Sequence, residues 1–328
     1  MFATAALRTH TKPLHAMLQR SDVTEISVNQ PNEVYLAVQG ASEMSRVDVP
    51  GLDFDFRMRQ GGLIAEATDQ EINNAHPLLS ATLEGGFRVQ VAIPPAVEAG
   101  TVAMSIRKQA LLDIDLDFYE RSGAFDRTNE IGGNEQAQRD ELLSAYHNRE
   151  WSRFLKLAVQ LRENILISAG TDSGKTTLLN ALLKVMSPNE RLTTIEDARE
   201  IRPPQSNVVH LLYSRGGQGV AKVTAQDLLE ATLRFKPDRI ILGELRGSEA
   251  YSYLRSVNSG HPGSISTVHA NSPAMAFEQI ALMVMQGYAN VQKETVLEYI
   301  KSVIPVVIQL RREHGVRRIT DIYYANAA

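Results

Sequence analysis

Apolar and polar positions alternate in short runs through the first third of the chain. "TEISVN" (24–29), "EVYLAV" (33–38) and "LLSATL" (78–83) each predict a strand. Glu84-Gly85-Gly86 then leads into "FRVQVAI" (87–93), the pattern of a hairpin, and "TVAMSIR" (101–107) follows Pro94-Pro95 as a further strand. Residues 54–67 predict a helix lying on that sheet. Together these segments describe a small α+β domain with a mostly antiparallel sheet.

Residues 126–138 are polar and carry Gly132-Gly133-Asn134, which predicts a linker. Beyond it, Trp151, Phe154, Leu155, Ala158 and Leu161 recur at helical spacing on one face. Strands are expected at "NILISA" (164–169), "LTTIE" (192–196), "NVVHLL" (207–212), "RIILGE" (239–244) and "GSISTVHA" (263–270). Helices intervene, one of them starting near Thr224, where Thr224 and Asp227 make a capping-box pattern. Strand–helix alternation of this kind implies a parallel sheet covered on both faces. Residues 306–311 and 317–323 flank the His314-Gly315 turn and close the unit as two more strands. The expected division is an N-terminal α+β domain over 1–130, a linker over 131–138 and an α/β domain over 139–328.

Length and composition agree with two ordinary globular domains: 328 residues, 43% hydrophobic and 22% charged. The absence of cysteine excludes disulfides, thiolate-bound zinc and thiol catalysis. "SVIPVVIQL" (302–310) is too short to span a bilayer, and "MFATAALRTHTK" lacks the basic start and long apolar core of an export signal. A cytoplasmic protein is therefore expected. A net charge of −4 gives no global attraction to nucleic acid, so no stable binding to it is expected.

The chemistry concentrates in "SAGTDSGKTTLLNALL" (168–183), which lies between a predicted strand and a predicted helix. Backbone N–H groups at such a helix start attract phosphate, through unpaired donors and the helix dipole. Ala169, Gly170, Thr171, Asp172, Ser173, Gly174, Lys175, Thr176 and Thr177 form the candidate nucleotide loop. Lys175 supplies a point charge to the β- and γ-phosphates, and the Thr176 hydroxyl is suited to Mg²⁺. Glu244 ends an apolar strand where ligands bind in such sheets, which suits a carboxylate that orients or deprotonates water or holds Mg²⁺. Glu196-Asp197 ends another strand as a second acidic pair for metal or water, and His269 ends a β-branched one as a candidate γ-phosphate sensor. Arg88 and Arg107, on neighbouring strands of the other domain, suit a phosphate clamp. Arg234, Arg239 and Arg246 surround the 239–244 strand as candidates to face a neighbouring subunit.

The Lys175 loop, "TTIEDARE", "LRFKPDRIILGELRG" and "GHPGSISTVHANS" stand in an order that resembles the secretion NTPase superfamily, above all the hexameric traffic ATPases of type IV secretion and bacterial conjugation. In the first half "VTEISVNQPNEVYL", "HPLLSATLEGGFRVQVAIPPA" and "SIRK" also look like that family's nucleotide-facing domain, so the likeness spans nearly the whole chain. The resemblance implies a RecA-like P-loop domain in the second half. It makes Lys175 and Thr176 the Walker A pair, Glu196 and Asp197 the acidic box, Glu244 the Walker B carboxylate, His269 the histidine-box residue, and Arg88 and Arg107 phosphate contacts. Asp172 is the departure, since the family usually has Gly there.

Such a resemblance implies an ATP- and Mg²⁺-dependent homohexamer at the cytoplasmic side of the inner membrane. Its neighbours would be other cytoplasmic ATPases and inner-membrane components of a secretion channel. The alternatives are a nucleotide-gated scaffold with negligible turnover, a pilus or type II secretion motor, and a DNA-translocating motor. The cysteine-free composition rules out the tetracysteine module of many type II enzymes.

Overall fold

Leu7, Leu14 and Leu18 recur on one side of helix α1 (Ala5–Gln19) and are fully buried, so this helix covers the first sheet despite Pro13 in its interior. A computed structural model describes residues 5–108, 115–126, 128, 133–215, 219–287 and 291–327. After α1 come β1 (Val23–Val28), β2 (Glu33–Val38), β3 (Ser45–Asp48), α2 (Phe54–Ala67), β4 (Leu78–Leu83), β5 (Phe87–Ala92) and β6 (Ala103–Arg107). The strands form one antiparallel sheet in the order β3-β2-β1-β6-β5-β4. Helix α2 occupies the predicted span; Asp53 caps it by accepting from the Phe56 N–H at 2.8 Å, and Gln60 donates to the His10 carbonyl of α1.

The short α3 (Leu116–Arg121) buries none of its residues. Of the stretch read as a linker, residues 127 and 129–132 lie outside the described residues, and Gly133 onward is helical: α4 runs Gly133–His147. Only its later turns carry buried apolar residues, Leu142 and Ala145, so its polar start resembles a linker in composition.

The second sheet follows from α5 (Trp151–Gln160), β7 (Ile165–Ala169), α6 (Lys175–Leu183), β8 (Leu192–Glu196), β9 (Val208–Leu212), α7 (Ala225–Phe235), β10 (Arg239–Leu242), α8 (Glu249–Asn258), β11 (Ile265–Val268), α9 (Pro273–Gly287), α10 (Lys293–Val303), β12 (Val306–Glu313) and β13 (Val316–Tyr324). The strand order is β13-β12-β7-β11-β10-β8-β9, parallel throughout except for the terminal β12–β13 hairpin. Ile165 and Ile167 point into one apolar cluster with α4, α5 and α6, whereas Leu166 joins a second cluster with α7 to α10. Burial on both faces explains why these strands read as unbroken apolar runs. The capping box at Thr224–Asp227 is present as predicted. The molecule is thus mixed α/β, and among the described residues no helix is long and apolar enough to cross a membrane.

The two sheets are joined by more than chain connectivity. Ala92, Ala96, Val97 and Ala103 share a core cluster with Leu228 and Leu229 of α7, and Val97 bridges to Leu211. Beside this apolar seam Asn29 donates to Asn207 at 2.8 Å, and buried Arg191 donates to Asn29, Asn207 and the Phe235 carbonyl.

Candidate active site

The strands β7, β11, β10 and β8 lie side by side and parallel, so their C-terminal ends form one rim. Chains leaving that rim carry the candidate residues: the loop 169–177 after β7, His269 after β11, Glu244 two residues beyond β10, and Glu196-Asp197 at the end of β8. Lys175, Thr176, Glu196, Asp197, Glu200, Glu244 and Arg246 line one cleft of about 230 Å³ there. The apolar run over 239–244 predicts a strand that reaches Glu244. It ends instead at Leu242, which releases Glu244 from the ladder and lets its side chain turn into the cleft.

The loop is shaped for an anion. Gly174, with φ of 90°, is the N-cap of α6 and offers no side-chain acceptor, so the first backbone N–H groups of the helix have no intrahelical or capping partner. Buried Ser173 ties the turn by donating to the Gly170 carbonyl. Lys175 Nζ donates to the carbonyls of Ala169 and Gly170, both at 3.3 Å, and lies 3.2 Å from His269 Nδ1. His269 Nε2 is in turn 3.2 Å from Glu244 Oε1. Burial, then the Lys175 charge, lowers the His269 pKa, which favours the neutral ring. Lys175 Nζ also lies 3.4 Å from His269 Nε2, so the ammonium sits beside the ring rather than on one nitrogen's lone pair, and Lys175, His269 and Glu244 form one contiguous cluster. Burial lowers the pKa of Lys175 and raises that of Glu244, while their mutual attraction opposes both shifts.

The acidic pair divides its work. Glu196 is buried, and both its oxygens are engaged: Oε2 accepts from the backbone N–H groups of Glu200 and Ile201, each at 2.7 Å, and Oε1 from Arg199 at 3.0 Å. Desolvation raises its pKa against those hydrogen bonds. This carboxylate therefore folds the loop 197–201, a role different from the metal or water ligand that its place at a strand end suggests. Arg199 also donates to Glu98, linking the first half of the chain to this loop. Asp197 pairs with Arg215, and Glu244 with Arg246. The Thr176 hydroxyl donates to Glu200 at 3.0 Å. Among the described residues no three His, Cys, Asp or Glu side chains converge on one metal position.

Other expected residues lie elsewhere. Arg88 and Arg107 are directly paired across β5 and β6, and line a separate cleft of about 460 Å³ with Arg234. That cleft shares no lining residue with the loop cleft, so one chain does not bring these arginines to Lys175. Arg239 is not a surface residue. It is buried, ion-paired with Glu190, and donates to the carbonyls of Val159 and Gly263. Asp172 adopts the left-handed conformation, φ 56°, and its carboxylate pairs with Arg312 and Arg317 of the terminal hairpin. Those two arginines and Glu200 carry no local motif that marks them as part of the site. The arginine excess of "RREHGVRR" (311–318) was the available signal, but only the hairpin's fold over the loop gives it meaning.

A family model described as "Type II/IV secretion system protein" matches residues 135–319. The chain belongs to that family. Over 98% of its length it is 38% identical to the type IV secretion system protein VirB11 of Bartonella quintana (strain Toulouse), covering 93% of that relative. It is 40% identical to the type IV secretion system protein PtlH of Bordetella pertussis (strain Tohama I), covering 98% of this chain and 95% of the relative. The crystal structure of the VirB11 ATPase from the Brucella suis type IV secretion system, in complex with sulphate, superposes with a TM-score of 0.91 at 36% identity; the match covers 98% of this chain and 95% of that one.

Proposed function

We propose that this chain hydrolyses ATP at the Lys175 loop and so powers or gates type IV secretion. The carrying observation is the single cleft in which a phosphate-type loop, its lysine and a half-buried carboxylate face one another at the rim of a parallel sheet. Family membership supports both the ATPase activity and the type IV secretion assignment.

In this reading the second half is a RecA-like P-loop domain. Its loop strand β7 and its Glu244 strand β10 are separated by β11, whose end carries His269 between Lys175 and Glu244. The first half, with its own sheet and apolar cluster, is the second domain. Lys175 and the free N–H groups of α6 bind the β- and γ-phosphates, and Glu244 orients and polarises the attacking water. His269 links the two charges, so a change at the γ-phosphate is felt at Glu244. Thr176, Asp197 and Glu244 would hold Mg²⁺, which when bound would supply charge neutralisation for the transferred group. Glu196 serves as a positioning residue rather than a ligand.

Arg88 and Arg107 act in this scheme only if a second copy delivers them. The seam between the two sheets is buried, and the arginine cleft opens apart from the loop cleft. A closed ring, expected to be a hexamer, supplies such a heterologous contact. Its place is the cytoplasmic face of the inner membrane, beside other ATPases and membrane components of the channel.

The test is steady-state phosphate release from purified protein with MgATP, with Lys175→Ala as the blank and particle mass measured in parallel. Turnover above the blank supports the enzyme. Tight nucleotide binding with no turnover would favour the nucleotide-gated scaffold instead.

A further inference from the structure

Asp172 places a negative charge inside a loop built to attract anions. A carboxylate facing phosphate there would oppose Lys175 directly. In the structure Asp172 instead faces the terminal hairpin: Arg317 donates to Oδ1 at 2.8 Å, Arg312 binds Oδ2, and Arg317 Nε reaches the Asp172 carbonyl at 3.4 Å. Lys175 has a different set of partners, the carbonyls of Ala169 and Gly170 and the ring of His269.

Two further observations concern the hairpin. Arg312 and Arg317 are directly opposite across β12 and β13, an arrangement of like charges that disfavours the strand pair unless an anion lies between them. The stem of Arg317 also lies against the loop itself. A Cβ built on Gly174 would meet Arg317 Cδ at 3.0 Å, so Gly174, already at φ 90°, leaves the room in which this arginine crosses the loop.

We propose that Arg312 and Arg317 are positioning residues for the phosphate loop. They hold Asp172 in its left-handed conformation and keep its carboxylate on the hairpin, away from the anion that Lys175 and α6 attract. The hairpin and the departure at residue 172 are thus one device, by which the last two strands of the sheet set the loop's affinity for nucleotide. The inference rests on the reading of this loop as the MgATP site. Because all three side chains are about half exposed, the ion pairs add little to global stability. Their effect is local, in loop geometry and charge.

A double-mutant cycle tests the idea, with MgATP binding to the full-length protein measured by calorimetry, KM and kcat measured alongside, and thermal melting as a control for folding. Arg312→Gln/Arg317→Gln is compared in the wild-type background and in Asp172→Asn, which keeps the shape and tolerates φ > 0 but removes the charge. Expected is a loss of about fivefold or more in affinity in the wild-type background, carried by KM with kcat nearly unchanged, and a loss below about twofold in the Asp172→Asn background. The gap between backgrounds should narrow at high salt. Equal losses in both backgrounds would mean that the arginines act on nucleotide without Asp172, and no loss in either would mean that the hairpin does not tune the loop; both results overturn the proposal. Absence of MgATP binding by the wild type, measured against Lys175→Ala, would overturn the site assignment itself and is read separately.

Discussion

At the phosphate-loop cleft, arginines arrive together with their counter-charges. Arg246 meets Glu244, Arg215 meets Asp197, Arg199 meets Glu196 and Glu98, and Arg312 and Arg317 meet Asp172. In the cleft between the first sheet and α7 the balance differs. Arg107 pairs with Glu25, but Arg88 and Arg234 form no ion pair among the described residues. The first region is a closed network that fixes one lysine and one carboxylate, whereas the second keeps cationic groups available to an anion from outside the chain. A count of arginines does not separate binding from structural roles; the location of the carboxylates does.

Four experiments probe this contrast, from the largest expected effect to the smallest. Lys175→Ala removes the loop lysine, a cleft cation that forms no ion pair among the described residues, and turnover should fall about 10³-fold or more while the melting temperature holds. Retained turnover in a well-folded variant would move the chemistry elsewhere. Glu244→Gln keeps the shape and loses the charge, so turnover should fall roughly 10²-fold with MgATP binding intact.

The arginine cleft gives a split result. Arg107→Ala strips the partner from Glu25, a buried carboxylate otherwise held by Ser105. It should cost about 1.5 kcal/mol of stability, as the loss of a hydrogen bond to a charged group does, because Arg107 is half exposed and buried Arg191 still attracts Glu25. Arg88→Ala should cost less than about 0.5 kcal/mol, as surface substitutions do. If Arg88 serves phosphate across a subunit contact, its alanine variant still loses about tenfold in turnover at constant stability. Full activity in Arg88→Ala would leave that cleft without a role in hydrolysis.

The last experiment is a pH profile of kcat/KM, which reports the free enzyme. Glu244 must be ionised, and burial raises its pKa, so activity should fall with acidification at a pH above the ordinary carboxylate value of 4.5. Lys175 must be charged, and burial lowers its pKa, so the alkaline limb should fall below the ordinary lysine value of 10.5. Glu244→Gln should abolish the acid limb, and persistence of that limb would assign it to another group.

Most strands were legible because strand burial leaves a local trace. Residues 33–38, 78–83 and 192–196 coincide with β2, β4 and β8, and the helix over 54–67 with α2. Helix α4 was not legible, since its buried residues lie near its end and its polar start reads as a linker. Edge strand β3 has exposed or half-buried residues and almost no apolar pattern. Within the candidate site, the positions of Glu244 and His269 at the rim were legible because each follows a strand end within two residues, and those of Lys175 and Thr176 because a short loop joins β7 to α6.

The sequence by itself determined the strand–helix alternation, the loop motif at the start of α6, and the family. These depend on residues close together in the chain, where spacing and type carry the physical constraint. Glu196 and Glu244 both line the cleft, and only the tertiary structure decided which of them folds a loop and which stays beside the lysine. Glu196 and Glu244 both end apolar runs, yet one is claimed by backbone N–H groups and the other by Lys175 and His269 across the rim. It also decided the environment of Asp172, whose counter-charges lie 140 and 145 residues away along the chain. Electrostatic roles depend on distance in space, and the β12–β13 hairpin supplies that distance only once the sheet has formed.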